Sequence, residues 1–165
     1  MSIDAHQDSI AGAIRVAARA LIIEDGKLLV IKYRDEKGSW CCTPGGGIEK
    51  HETLGAGLRR EIHEELGINI FSDDIVYVRE LMGSKAEVQH GGITDETHQL
   101  EIFFHCKREG EPALGEKPDG FCIGFDWAPL SDLASWNFFP KSLAKRLSED
   151  VTVGFKPHNN YLGDA

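Results

Sequence analysis

The chain has 165 residues, 41% of them hydrophobic and 27% charged, with a formal net charge of −9. That length suits one domain burying about two-thirds of its extended-chain surface, and no apolar run reaches the roughly 20 residues of a membrane helix. The acidic balance argues against a nucleic-acid polymer as partner, because polyanion binding calls for a basic face. It leaves room for a small phosphorylated nucleotide if divalent cations stand between the two sets of negative charge.

Residues 1–12 show no periodicity and read as a tail, and no basic stretch leads into an apolar one, which points to a cytoplasmic protein. Ile14 to Ile23 and Leu28 to Tyr33 are β-type apolar runs joined across Asp25-Gly26, a hairpin signal. Residues 35–38 read as a loop. Trp40, Cys41 and Cys42 lead into Thr43-Pro44-Gly45-Gly46-Gly47, where the backbone can come close to a ligand. Thr53 is placed to cap a helix over Leu54–Leu66 that ends at Gly67, with Leu54, Leu58, Ile62 and Leu66 as its buried stripe.

Beyond the helix, Ile75–Met82 reads as a strand and Gly83–Glu96 as a long polar loop or extended hairpin. His98–Lys107 alternates as a strand, with Leu100, Ile102, Phe104 and Cys106 on one face and Gln99, Glu101, Phe103 and His105 on the other. Phe121–Trp127 is expected as a last core strand, with Phe121, Ile123, Phe125 and Trp127 on one side. Pro140 can open a final helix whose face carries Phe139, Leu143 and Leu147. Residues 151–165 read as a second tail, and the tails could take part in a homodimer interface. The four cysteines form no C-x-x-C pair and read as buried thiols. Strands on both sides of one helix, with a closing helix, suggest an α/β fold in which a mixed sheet lies between helices.

Gly46 to Ile68 carries the chemistry. It places Gly46, Glu52, Arg60, Glu61, Glu64, Glu65 and Gly67 in the pattern G-x5-E-x7-R-E-U-x-E-E-x-G-U, where U is bulky and apolar. Seven such identities arise by chance about once in 10⁸ windows at average residue usage. Glu61, Glu64 and Glu65 stand one helical turn apart, so three carboxylates come within reach of a common point. Like charges this close repel unless a hard divalent ion such as Mg²⁺ (or Mn²⁺) neutralises them, and that ion would also shield a pyrophosphate. Arg15, Arg19 and Lys32 could reach phosphates from the first strands. Trp40, Phe103 and Phe125 could stack on a nucleobase, although aromatic residues in strands are more often core. His51, His63, His90 and His98 lack metal-site spacing.

The pattern resembles the signature of the Nudix hydrolases, as do Trp40 ahead of the Pro-Gly-Gly turn and the Trp-x-Pro-Leu-x-x-Leu of residues 127–133. The resemblance implies an α/β/α sandwich and a metal-dependent pyrophosphohydrolase, acting on a nucleoside diphosphate linked to another moiety by water attack at phosphorus. It implies metal ligation by Glu61, Glu64 and Glu65 with a backbone carbonyl from Gly45 or Gly46, and a structural pairing of Arg60 with Glu52 or a neighbouring glutamate. The general base would be Glu61 or Glu64, or a later carboxylate for which Glu101 is the candidate. No proline stands between Pro44 and Pro112, so the downstream proline of many ADP-ribose pyrophosphatases is missing. An ADP-sugar and a nucleoside triphosphate are comparable substrates at this point. The alternative is a non-catalytic Nudix domain that senses a nucleotide; such domains tend to have eroded glutamates, which this chain does not.

Overall fold

A computed structural model of the chain describes residues 12–86, 88–116, 118–156 and 160–163. In chain order the elements are β1 (Arg15–Glu24), β2 (Lys27–Asp35), β3 (Gly38–Cys42), β4 (Gly45–Gly47), α1 (Leu54–Leu66), β5 (Asn69–Met82), β6 (His98–Glu109), β7 (Cys122–Pro129) and α2 (Lys141–Thr152). The turn between β1 and β2 runs through Asp25 and Gly26, both at positive φ, as a hairpin matched to strand twist requires. The hairpin pairs only Ile23 with Leu28 and Glu24 with Lys27 before the strands part. β1 then runs parallel to β6 and antiparallel to β4. β2 lies between β3 and β7, and β5 flanks β6, all antiparallel.

Alternate strand residues feed two separate cores. Leu58, Ile62 and Leu66 of α1 pack on Ala18, Ala20, Ile22, Leu29 and Ile31. Leu143, Ala144 and Leu147 of α2 pack on Leu21, Leu28, Val30 and Phe103. The fold is therefore an α/β/α sandwich with a mixed sheet between the helices. Helix α1 has the expected bounds: the Thr53 hydroxyl accepts the Ala56 amide at 3.2 Å, and Gly67 closes the helix in the left-handed region. Its last carbonyls are also met from outside, because the Ala113 amide donates to Leu66 O at 3.0 Å and the Gly115 amide to Glu65 O at 2.8 Å. Among the described residues no helix is long and apolar enough to cross a membrane.

Several expectations need correction. β5 starts at Asn69 rather than Ile75, and irregularities in its register with β6 break the alternation that would have revealed it. In β7 the register with β2 slips at Lys32/Tyr33, so that Gly124 pairs with Lys32 and Cys122 with Tyr33. This leaves Ile123 as the extra residue: Phe121 and Ile123 are exposed, while Cys122 joins Phe125 and Trp127 against the α1-side core. The face before α2 is anchored by the fully buried Phe138 rather than by the half-buried Phe139. The tail from residue 151 is partly built in, since the Val78 amide donates to Asn160 O and the Glu80 amide to Gly163 O along the edge of β5. Most of the residue 1–12 tail lies outside the described residues.

Truncating Phe138 to alanine should cost about 3–5 kcal/mol of folding stability, and the same change at Phe139 well under half of that. Urea denaturation of the two variants reads the difference, and equal losses would show that Phe138 is not the anchor.

Candidate active site

Arg60 organises the helix side. Its Nε and one terminal nitrogen donate to the two oxygens of Glu52 at 2.7 and 2.9 Å, a bidentate pair. The other terminal nitrogen donates to Glu61 at 2.9 Å and Glu64 at 3.3 Å, and Gly47 O accepts a further bond at 3.1 Å. The Glu49 amide also donates to Glu52. Hydrogen bonding from Arg60, helped by that amide, holds Glu52 down at about 2. One arginine thus ties β4 and the loop after it to Glu61 and Glu64 in the later turns of α1.

Glu61 and Glu65 face β4. The Gly45 amide donates to Glu65 at 2.9 Å, and a Cβ on Gly46 would lie 2.4 Å from Glu61 Oε2. Position 46 therefore admits only glycine while Glu61 keeps its place. Burial pushes the half-buried Glu65 up to about 7, against the lowering effect of the Gly45 amide and the Arg19 charge. Glu64 is 57% exposed at the rim. Among the described residues there is no ready-made cluster of three His, Cys, Asp or Glu side chains: Glu61 and Glu65 face β4 while Glu64 stands at the rim. One Arg60 nitrogen bridges Glu61 and Glu64.

The strand side carries the opposite charge. Arg19 donates to Glu101 at 3.0 and 3.1 Å and to Gly45 O at 3.1 Å. Arg79 donates to the other Glu101 oxygen at 2.6 Å, and Gln99 Nε2 donates to Glu101 Oε1 at 2.8 Å. Arg15 donates to Gln99 Oε1, and its guanidinium lies where a Gly47 Cβ would be. Burial alone would raise the Glu101 carboxyl, but the charges of Arg19 and Arg79 and their hydrogen bonds bring it below its ordinary value.

Arg15, Arg19, Gly45 and Gly46 are thus brought to the same place as Glu52, Arg60, Glu61, Glu64 and Glu65. Trp40 lies between Tyr33 and His90. Its ring stacks on His90 at 4.5 Å and on Tyr33 at 5.4 Å, so the 83–96 loop is docked on it rather than loose. The docking is pinned by Asp35, which faces His90 Nδ1 at 3.2 Å and accepts the Gly91 amide. A cavity of about 290 Å³ beside Trp40 is lined also by Lys32, Ser39, Cys41, Asp126 and Trp136. Phe103 is core, and Phe125 packs against the α1-side cluster.

Three polar residues escaped sequence reasoning. Gln99 and Arg79 are buried, and only the period-2 alignment of Gln99 with Glu101 hinted at a shared face. Asp119, in an irregular connection, accepts the Phe121 amide, and its charge bears on Glu65 and Arg15.

The depressed Glu52 carboxyl has a definite pH consequence. Its contribution to stability is fully present above the ordinary glutamate value and is lost progressively as pH falls from there through about 2. Carboxylate NMR should place the Glu52 midpoint near that value, and Arg60→Ala should return it towards roughly 4.3. An unchanged midpoint in the variant would remove Arg60 as the cause.

The comparisons with known proteins agree with this geometry. The family model described as "NUDIX domain" matches residues 13–147. Nucleoside triphosphatase NudI of Escherichia fergusonii is 29% identical over 131 residues, covering 71% of this chain and 83% of that protein. NudI of Escherichia coli is 32% identical over 99 residues, covering 52% of this chain and 63%, less than two-thirds, of that protein. The crystal structure of a MutT NUDIX hydrolase from Burkholderia pseudomallei superimposes with a TM-score of 0.59 at 28% identity, covering 81% of this chain and 94% of that one. The complete glutamate pattern on α1, the sandwich around it and these matches together establish that the chain belongs to the Nudix hydrolase family.

Proposed function

We propose that the chain is a divalent-cation-dependent hydrolase that cleaves a phosphoanhydride bond of a nucleoside triphosphate, with water attacking phosphorus. The observation that carries this reading is the sorting of charge across β4: carboxylates of α1 lie on one side, Arg15 and Arg19 on the other. A polyphosphate is an anion that needs both a cation shield and a fixed guanidinium.

The residues suit a hard divalent ion. Burial raises the Glu65 carboxyl against the Gly45 amide and the Arg19 charge, and carboxylate and carbonyl oxygens are the ligands a hard divalent ion takes. Glu61, Glu65 and the Gly46 carbonyl, joined from the rim by Glu64, would hold Mg²⁺ or Mn²⁺; the Gly45 carbonyl already accepts from Arg19. When bound there, the ion supplies Lewis-acid polarisation of the phosphate oxygens.

The chain's own groups do the rest. Arg60 and Glu52 fix the glutamates, Arg15 binds a phosphate oxygen, and Glu64 or Glu61 takes the proton from the attacking water. Glu101 is reassigned. With both oxygens occupied by guanidinium and amide donors it is a poor proton acceptor at neutral pH, and it serves to position the arginines. Asp119 replaces it as the carboxylate a later loop could offer. A nucleoside triphosphate is preferred to an ADP-sugar because the relatives aligned over much of the chain are named nucleoside triphosphatases.

With Mg²⁺ or Mn²⁺, the purified protein should release phosphate or pyrophosphate from nucleoside triphosphates faster than it splits ADP-ribose. Glu64→Gln should lower turnover by on the order of 10²-fold or more with the melting temperature kept. Release from none of a broad nucleotide panel would favour nucleotide sensing, and near-normal turnover of the variant would remove Glu64 from the mechanism.

A further inference from the structure

Arg15 differs from its two neighbours in what it bonds. Arg19 and Arg79 both donate to the Glu101 carboxylate, and the two Glu101 oxygens are taken up by those guanidiniums and by Gln99 Nε2. Arg15 instead donates to the neutral Gln99 carbonyl oxygen. The amide orientation is fixed by chemistry, because only the oxygen can accept from Arg15 and only the nitrogen can donate to Glu101. Gln99 is 5% exposed and Glu101 4%, whereas Arg15 is exposed. Gln99 is therefore a buried spacer between a carboxylate and an exposed cation. A carboxylate at that position would hold Arg15 equally well but would cancel its charge.

We propose that Gln99 is a positioning residue that holds the Arg15 guanidinium against Gly47 through a neutral acceptor, ready for an oxygen of the substrate's phosphate chain. This rests on the reading of the site as a phosphoanhydride hydrolase. Arg15 is exposed, and the charges of Glu61, Glu101 and Asp119 act on it alongside that of Arg19. Gln99 itself touches no reacting atom. Its effect passes through Arg15, so it belongs to substrate affinity rather than to the chemical step.

The test is a double-mutant cycle on the full chain with Mg²⁺. Gln99→Leu removes both bonds, and Gln99→Glu keeps the acceptor but cancels the charge. Each should raise KM for a nucleoside triphosphate by about tenfold with kcat within about threefold, as a lost charge-assisted contact would. Arg15→Ala should do at least as much, and adding Gln99→Leu to it should change KM no further. Calorimetric binding of magnesium pyrophosphate should weaken in the same order, which reads the anion contact without turnover.

An unchanged KM in Gln99→Leu, or a full additional loss on top of Arg15→Ala, would overturn the assignment. A wild type that binds pyrophosphate but hydrolyses no nucleotide would defeat the proposed activity and leave the Gln99 comparison to be decided by binding. A wild type that does neither would defeat both.

Discussion

The candidate site depends on how closely β4 approaches its neighbours. A Cβ on Gly45 would lie 2.2 Å from Ala18 O, one on Gly46 2.4 Å from a Glu61 oxygen, and one on Gly47 2.6 Å from the Arg15 guanidinium. The three contacts point to three different partners: the backbone of β1, the helix carboxylates and the strand-side cation. Without side chains of its own, β4 becomes a thin partition between two layers of opposite charge. A side chain at Gly45 would press on fixed β1 backbone, and one at Gly46 or Gly47 would have to push aside the Glu61 carboxylate or the Arg15 guanidinium.

That partition makes the two layers complementary. On the helix side Arg60 neutralises part of a carboxylate excess, and on the strand side Glu101 neutralises part of a guanidinium excess. Each layer is pinned by its single residue of minority charge. Removing either would leave like charges facing one another in a half-buried setting, where repulsion is poorly screened.

Much of the helix layer was legible in the sequence because its information is local. Thr53, the four-residue recurrence of Leu58, Ile62 and Leu66, and Gly67 bound α1 by rules that act within a few residues. The strand layer was not legible, because its contacts join residues far apart in the chain: Arg15 with Gln99, Arg19 with Glu101, Arg79 with Glu101. Alternation put Gln99 and Glu101 on one face but could not say what faced them. The misassigned face of β7 has a different cause: the register slip near Ile123 reverses which residues point inward, and a period-2 reading cannot see an inserted residue. Helical spacing fixes where the side chains of Glu61, Glu64 and Glu65 start, whereas the Arg60 bridge between two of them is a contact that spacing alone does not disclose.

The amides of Ala113 and Gly115 that cap the last carbonyls of α1 have a consequence for how such a chain can diverge. They belong to the same connection as Asp119, and they close on the turn that carries Glu65. A Cβ on Gly115 would lie 1.8 Å from Glu64 O, so the connection and the helix share one tight joint. Here a change in length would be transmitted to the final turn of α1 as a displacement of its carboxylates. This stretch and the helix, though separated by two strands, are constrained to evolve as a single mechanical unit.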